Sequence, residues 1–122
     1  MPKFIIRMKV INNGNASIRT HVGASLIGVT NHIEYYNASD DIDWTFHTGE
    51  NTIERNLTSD LGALQKYDLY VALWELAQPI GHGTRYAITK VPNAVEKKKK
   101  EVAVNLSVAV VDYFPRSFSP DQ

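Results

Sequence analysis

One stretch constrains this chain more than any other: Tyr67-Asp68-Leu69-Tyr70-Val71-Ala72-Leu73-Trp74-Glu75-Leu76. It has strand length and is dense in residues that fit a pleated surface. Leu69, Val71 and Leu73 fall on one face; Tyr70, Ala72 and Trp74 fall on the other. A strand apolar on both faces belongs in the middle of a sheet, where something covers each side. The rest of the chain has to supply that cover.

Short strands do so on either side. Phe4, Ile6, Met8 and Val10 share one face between Lys3 and Ile11, with Lys3, Ile5, Arg7, Lys9 and Ile11 opposite. That is a half-buried strand. Asn12-Asn13-Gly14-Asn15 is a dense turn signal, since Asn and Gly tolerate positive φ. A second strand, Ala16 to Ile27, points Ile18, Val22, Ala24 and Leu26 inward and Ser17, Arg19, His21 and Ser25 outward. The two read as an opening hairpin.

Val29 to Tyr36 holds a short strand, and Asn37 to Asp41 is a polar loop. Ile42, Trp44 and Phe46 then alternate with Asp43, Thr45 and His47. Thr52 to Thr58 is a weaker strand with Ile53 and Leu57 on one side. Arg55 sits badly between them, which points to an edge or to partial cover. Gln78 to Gly83 is a loop, and Thr84 to Val91 is extended. Pro92 to Lys100 forms a connection. Glu101 to Tyr113 closes the domain as a long strand with Val102, Val104, Leu106, Val108 and Val110 inside, and Pro115 to Gln122 is a loose tail.

Seven or so strands at short spacing, without sustained 3.6-residue periodicity, predict an all-β antiparallel two-sheet sandwich. Residues 1–114 form its single domain and 115–122 the tail. With 43% apolar and 21% charged residues, the 122-residue chain can bury one core. Thirteen basic residues balance thirteen acidic ones, so no global field attracts nucleic acid or an anionic membrane. The absence of cysteine removes disulfides, thiolate nucleophiles and zinc–thiolate sites together. No apolar stretch has the length of a membrane span. Met1-Pro2-Lys3 leads directly into a strand, without a signal peptide.

Two features resemble known modules. Tyr67, after the turn-like Leu61-Gly62-Ala63-Leu64-Gln65-Lys66, resembles the tyrosine corner of immunoglobulin-like sandwiches. Val10-Ile11-Asn12-Asn13-Gly14-Asn15-Ala16 resembles the opening of bacterial and archaeal immunoglobulin-like modules of the CARDB type. Gly49-Glu50-Asn51-Thr52 through Tyr67-Asp68-Leu69-Tyr70-Val71 is similar to their later half. The likeness runs from Phe4 to Leu76 and rests on turn and alternation residues. The acidic, asparagine-rich ending common in that family is absent. Such a resemblance implies an adhesion, spacer or assembly module at a cell surface, outside the cell or in a virion, and carries over no catalytic residue.

Four constellations offer chemistry. His21, His32, His47 and His82 are scattered singly, without metal-ligand spacing or a nucleophile elbow nearby, and read as surface or loop histidines. Asn37, Ser39, Asp40, Asp41 and Asp43 crowd hard oxygen ligands into one region. They lack the EF-hand spacing and its closing glutamate, so an ordinary Asp/Asn-rich turn explains them. Tyr35, Tyr36, Trp44, Tyr70 and Trp74 are candidate ligand-binding aromatics, because flat rings bury area at low entropic loss. Packing between sheets explains them as well. The lysines Lys97 to Lys100 read as a solvated tip or a gatekeeper beside the aggregation-prone strand from Val102 to Val111. Sequons stand at Asn15, Asn37, Asn56 and Asn105.

These readings lead to a non-enzymatic structural or interaction module, self-associating or part of a larger assembly, with no cofactor and no nucleic-acid partner. The alternative is a glycan- or ion-binding domain using residues 35–47. Tyr67, Leu69, Val71 and Leu73 are the structural residues in either case.

Overall fold

The computed structural model describes residues 1–77, 79, 82–100 and 103–119. Seven strands run through them: β1 (Lys3–Asn12), β2 (Ile18–Gly28), β3 (Glu34–Tyr35), β4 (Ile42–Phe46), β5 (Gly49–Thr58), β6 (Lys66–Glu75) and β7 (Arg85–Glu96). One 3-10 turn, Ala38–Asp40, precedes β4. The strands make two antiparallel sheets, as the alternation predicts. β1 pairs with β5 alone. In the larger sheet β6 lies between β2 and β7, while β3 and β4 share the far edge of β2.

β1 and β2 do not form the expected hairpin. Each has one strongly apolar face, and more area is removed from water when those faces meet across the sandwich than when the strands lie side by side. Ile6, Met8 and Phe4 of β1 therefore pack with Ala24, Leu26 and Val71 of the larger sheet. The turn signal at Asn12 serves a crossover between sheets. Asn12 Nδ2 donates to the carbonyls of Ala16 (3.0 Å) and Phe46 (3.1 Å), and Asn12 Oδ1 accepts from Gly14 N (2.9 Å). Outside, Arg7 stands opposite Glu54 and bonds it at 2.6 Å, a cross-strand pair that makes register legible.

The central strand behaves as its two apolar faces require. β6 has neighbours on both edges. Tyr67 is fully buried and Val71 nearly so, whereas Leu69 and Leu73 are half-buried against the core. Tyr67 Oη donates to the carbonyl of Ala63 at 2.6 Å, the corner bond expected from its position. The neighbouring corner depends on close approach. A Cβ on Gly28 would stand 2.1 Å from Asn31 Oδ1 and 2.5 Å from Gln65 Nε2. With glycine there, Gln65 Oε1 accepts from Thr30 N (2.9 Å) and Asn31 N (3.2 Å).

The end of the chain departs from expectation. β7 continues through Pro92 to Glu96, where a connection was expected. Pro92 is tolerated because β7 is an edge strand and bulges there. Tyr67 pairs with Val95 but Leu69 with Val91, and Asn93 takes φ 52° while its N–H bonds Asp68 Oδ1 at 2.8 Å. Lys97 then ties the chain to the corner, donating from N to Gln65 O (2.9 Å) and from Nζ to Leu61 O (2.5 Å). Residues 103–113, read as the inward-facing closing strand, are in no strand, and Val104, Leu106, Val108 and Val110 are exposed. Glu101 and Val102 of that stretch lie outside the described residues, as do Gln78, Ile80 and Gly81 of the loop and Pro120 to Gln122 of the tail.

Leu57→Ala should lower the unfolding free energy by about 2–5 kcal/mol, because Leu57 is fully buried. Leu69→Ala, at a half-buried position, should fall below that range. Tyr67→Phe removes one buried hydrogen bond and should cost about 1 kcal/mol. Denaturant midpoints check the order Leu57→Ala > Tyr67→Phe, and an unchanged midpoint for Tyr67→Phe would remove the corner bond from the account.

Candidate interaction site between the sheets

Alternation puts Asn51, Ile53, Arg55 and Leu57 on the inner face of β5. β5 is an edge strand, as expected, because it pairs with β1 alone, but Arg55 on it is fully covered. Its side chain is wholly enclosed and spans the sandwich. Arg55 Nε donates to Val22 O of β2 at 2.9 Å, next to the last pairing of β2 with β4 at Val22 and Ile42. Arg55 Nη1 donates to Asn56 O at 3.0 Å and Nη2 to Asp41 Oδ1 at 2.6 Å.

The acidic region is accordingly shared out among separate partners. Asp40 Oδ2 accepts from Thr58 N at 2.6 Å, Asp41 neutralises Arg55, and Asp43 pairs with His21. Asn37 caps the 3-10 turn through Ser39 N (3.0 Å) and donates to Thr58 O (3.0 Å). Asp40, Asp41 and Asp43 do not converge, and no group of three or more His, Asp or Glu side chains among the described residues is placed to hold an ion. His21, expected to face solvent, is buried. Its Nδ1 meets the Asp43 carboxylate, and its Nε2 accepts from Ala77 N at 3.3 Å. Sequence reasoning missed this pair because Ala77, just after β6, covers His21 on the outer face of β2. The cross-strand register of His21 and Asp43 was the available signal.

The five aromatic candidates divide. Tyr35 packs edge-on against Tyr67 with centroids 5.6 Å apart and belongs to the core. Trp44 stands apart beside Asp43 and His47. Tyr36, Tyr70 and Trp74 line one shallow depression on the outer face of the larger sheet. Cations already attend that face: Arg85 lies 5.8 Å from the Trp74 ring and Lys90 5.6 Å from that of Tyr70. The Tyr70 hydroxyl and the Asp68 carboxylate hold the Lys90 ammonium above the usual lysine range.

A more apolar concavity lies elsewhere. Between β1 and β7 an open cleft of about 440 Å3 separates the sheets. β1 contributes Met8 and Val10, β2 Ile18 and Thr20, β4 Phe46, β6 Val71 and Leu73, and β7 Ala87 and Thr89. Lys9 is the one charged residue among the described lining. Thr20 is 2% exposed, yet its hydroxyl has no hydrogen-bond partner among the described residues. The cleft exists because the sheets differ in width. Among the described residues no strand lies beyond β1, so β7 stays exposed, and Val91 remains 47% accessible. An apolar wall beside a free strand edge suits contact with another polypeptide.

Asp41→Asn should destabilise the fold by roughly 3 kcal/mol, since it leaves the Arg55 guanidinium buried without its counter-charge. Arg55→Met combined with Asp41→Leu should recover much of that loss. Chelator treatment of the unaltered chain should leave its melting temperature unchanged; a drop of several degrees, restored by calcium and lost in Asp41→Asn, would return the acidic region to a metal-binding role.

Comparison with protein-family models, with curated proteins and with solved structures found no match for this chain.

Proposed function

We propose that this protein is a non-enzymatic interaction module of immunoglobulin-like type, acting through a sheet face or an unpaired strand edge within a surface, filament or virion assembly. The observation that carries this reading is the apolar cleft beside the free edge of β1. The Tyr67 corner supports the immunoglobulin-like assignment. Exposed Ile5 and Ile11 on the outer face of β1 add apolar area that a lone domain has no use for. The polar side chains that looked chemical from their order are engaged in holding the sheets and turns together.

A glycan-binding reading keeps one specific support, the depression lined by Tyr36, Tyr70 and Trp74. Glycan-array binding lost in Trp74→Ala would favour it.

Analytical ultracentrifugation of the full chain tests the main reading. Concentration-dependent association is expected, weakened by Ile5→Lys at the outer face or by Val111→Lys. A strict monomer at every concentration, indifferent to both changes, would overturn self-association.

A further inference from the structure

The cleft and the end of the chain match each other. Residues 103–111, Ala-Val-Asn-Leu-Ser-Val-Ala-Val-Val, alternate with strand periodicity from Val104 to Val110. In the structure they belong to no strand. Val104, Leu106, Val108 and Val110 are 75%, 88%, 97% and 78% exposed, while the cleft on the same molecule stays open. A soluble body rarely displays so continuous an apolar row unless something covers it.

Building on the interaction-module reading, we infer that residues 103–111 of one copy add as a strand to the free edge of β1 in a second copy, laying Val104, Leu106, Val108 and Val110 into the cleft. Length agrees: nine extended residues reach roughly 30 Å, close to the span of the ten-residue β1. Charge agrees too. The segment carries no ionisable side chain, and the described lining offers only Lys9 at its rim, so no charge is desolvated without a partner. The added strand would widen the two-stranded sheet to three and cover Ala87, Thr89 and Val91 of β7. Four apolar side chains with their backbone would bury roughly 1,200 Å2 over both partners, the lower end for a specific interface. Because donor segment and acceptor cleft are different surfaces, the contact is head-to-tail and propagates into rings or open filaments.

The alternative occupant is the same segment folding back onto its own cleft. Two full-length variants separate the cases. Leu106→Asp with Val108→Asp spoils the donor and leaves the cleft intact; Ala87→Glu places a charge in the cleft and leaves the donor intact. Both sites are exposed, so circular dichroism should show each folded as the unaltered chain. In sedimentation velocity the unaltered chain should form a concentration-dependent oligomer series. Each variant alone should associate more weakly by roughly a hundredfold or more, the effect of forcing a charge into an apolar groove. Mixed together, they should form a one-to-one heterodimer and stop there. A mixture that remains monomeric overturns exchange between copies. Oligomers that survive Leu106→Asp with Val108→Asp overturn the role of this segment alone and leave the interaction-module reading standing. A strictly monomeric unaltered chain overturns strand exchange and self-association together, and leaves only docking on a different protein.

Discussion

The sandwich depends on one buried ion pair. Arg55 reaches from β5 across the interior to the Val22 carbonyl, and Asp41 meets it from the segment between β3 and β4. A guanidinium enclosed this way is tolerable only because the three bonds and the counter-charge compensate its lost hydration. The geometry is directional, so it fixes β5 over β2 at one separation and one register. Apolar contact alone would leave the sheets freer to slide, because it carries no such direction.

That attachment also sets where the molecule stays open. With β5 locked above β2, β1 packs over Ala24, Leu26 and Val71, and among the described residues no strand of the narrower sheet covers Val91 of β7. The apolar clusters follow the same division: Ile6, Leu57 and Tyr67 fill the interior near the corner, and Val22, Phe46 and Ile53 fill it near Arg55. Beyond Met8 and Val10 the layers separate into the cleft. The opening therefore follows from unequal strand number, and repacking of side chains within the domain cannot remove it.

Much of this was legible from residue order. The inner faces of β1 and β5, the two-faced character of β6 and the Tyr67 corner all follow from period-two alternation and one turn. What alternation cannot convey is which strands are neighbours. β1 and β2 looked like a hairpin because a turn signal says that the chain reverses, and it does not say whether the reversal stays within a sheet. Arg55 does lie on an edge strand, but it looked poorly covered because its partner stands 14 positions away in a loop. His21 looked solvent-facing because its cover comes from Ala77, 56 positions on. Residues 103–113 looked like core because they carry a core pattern, yet they belong to no strand and leave Val104, Leu106, Val108 and Val110 exposed.

The free edge of β1 matters as much as the apolar wall. Burying four aliphatic side chains gains about 8 kcal/mol, at about 2 kcal/mol each. Ordering nine residues opposes this with about 1 kcal/mol or more per residue of backbone freedom. The two nearly cancel, so an apolar groove without a strand edge would hold such a segment only weakly. Ladder hydrogen bonds to β1, at a net contribution of about 1 kcal/mol each, tip the balance. They also impose a register, which a smooth groove does not. Lys97 has the complementary part: bound to the Gln65 and Leu61 carbonyls, it fixes the point where the segment leaves the body. The lysines that follow keep that exit hydrated, so residues 103–111 are presented outward with their origin fixed.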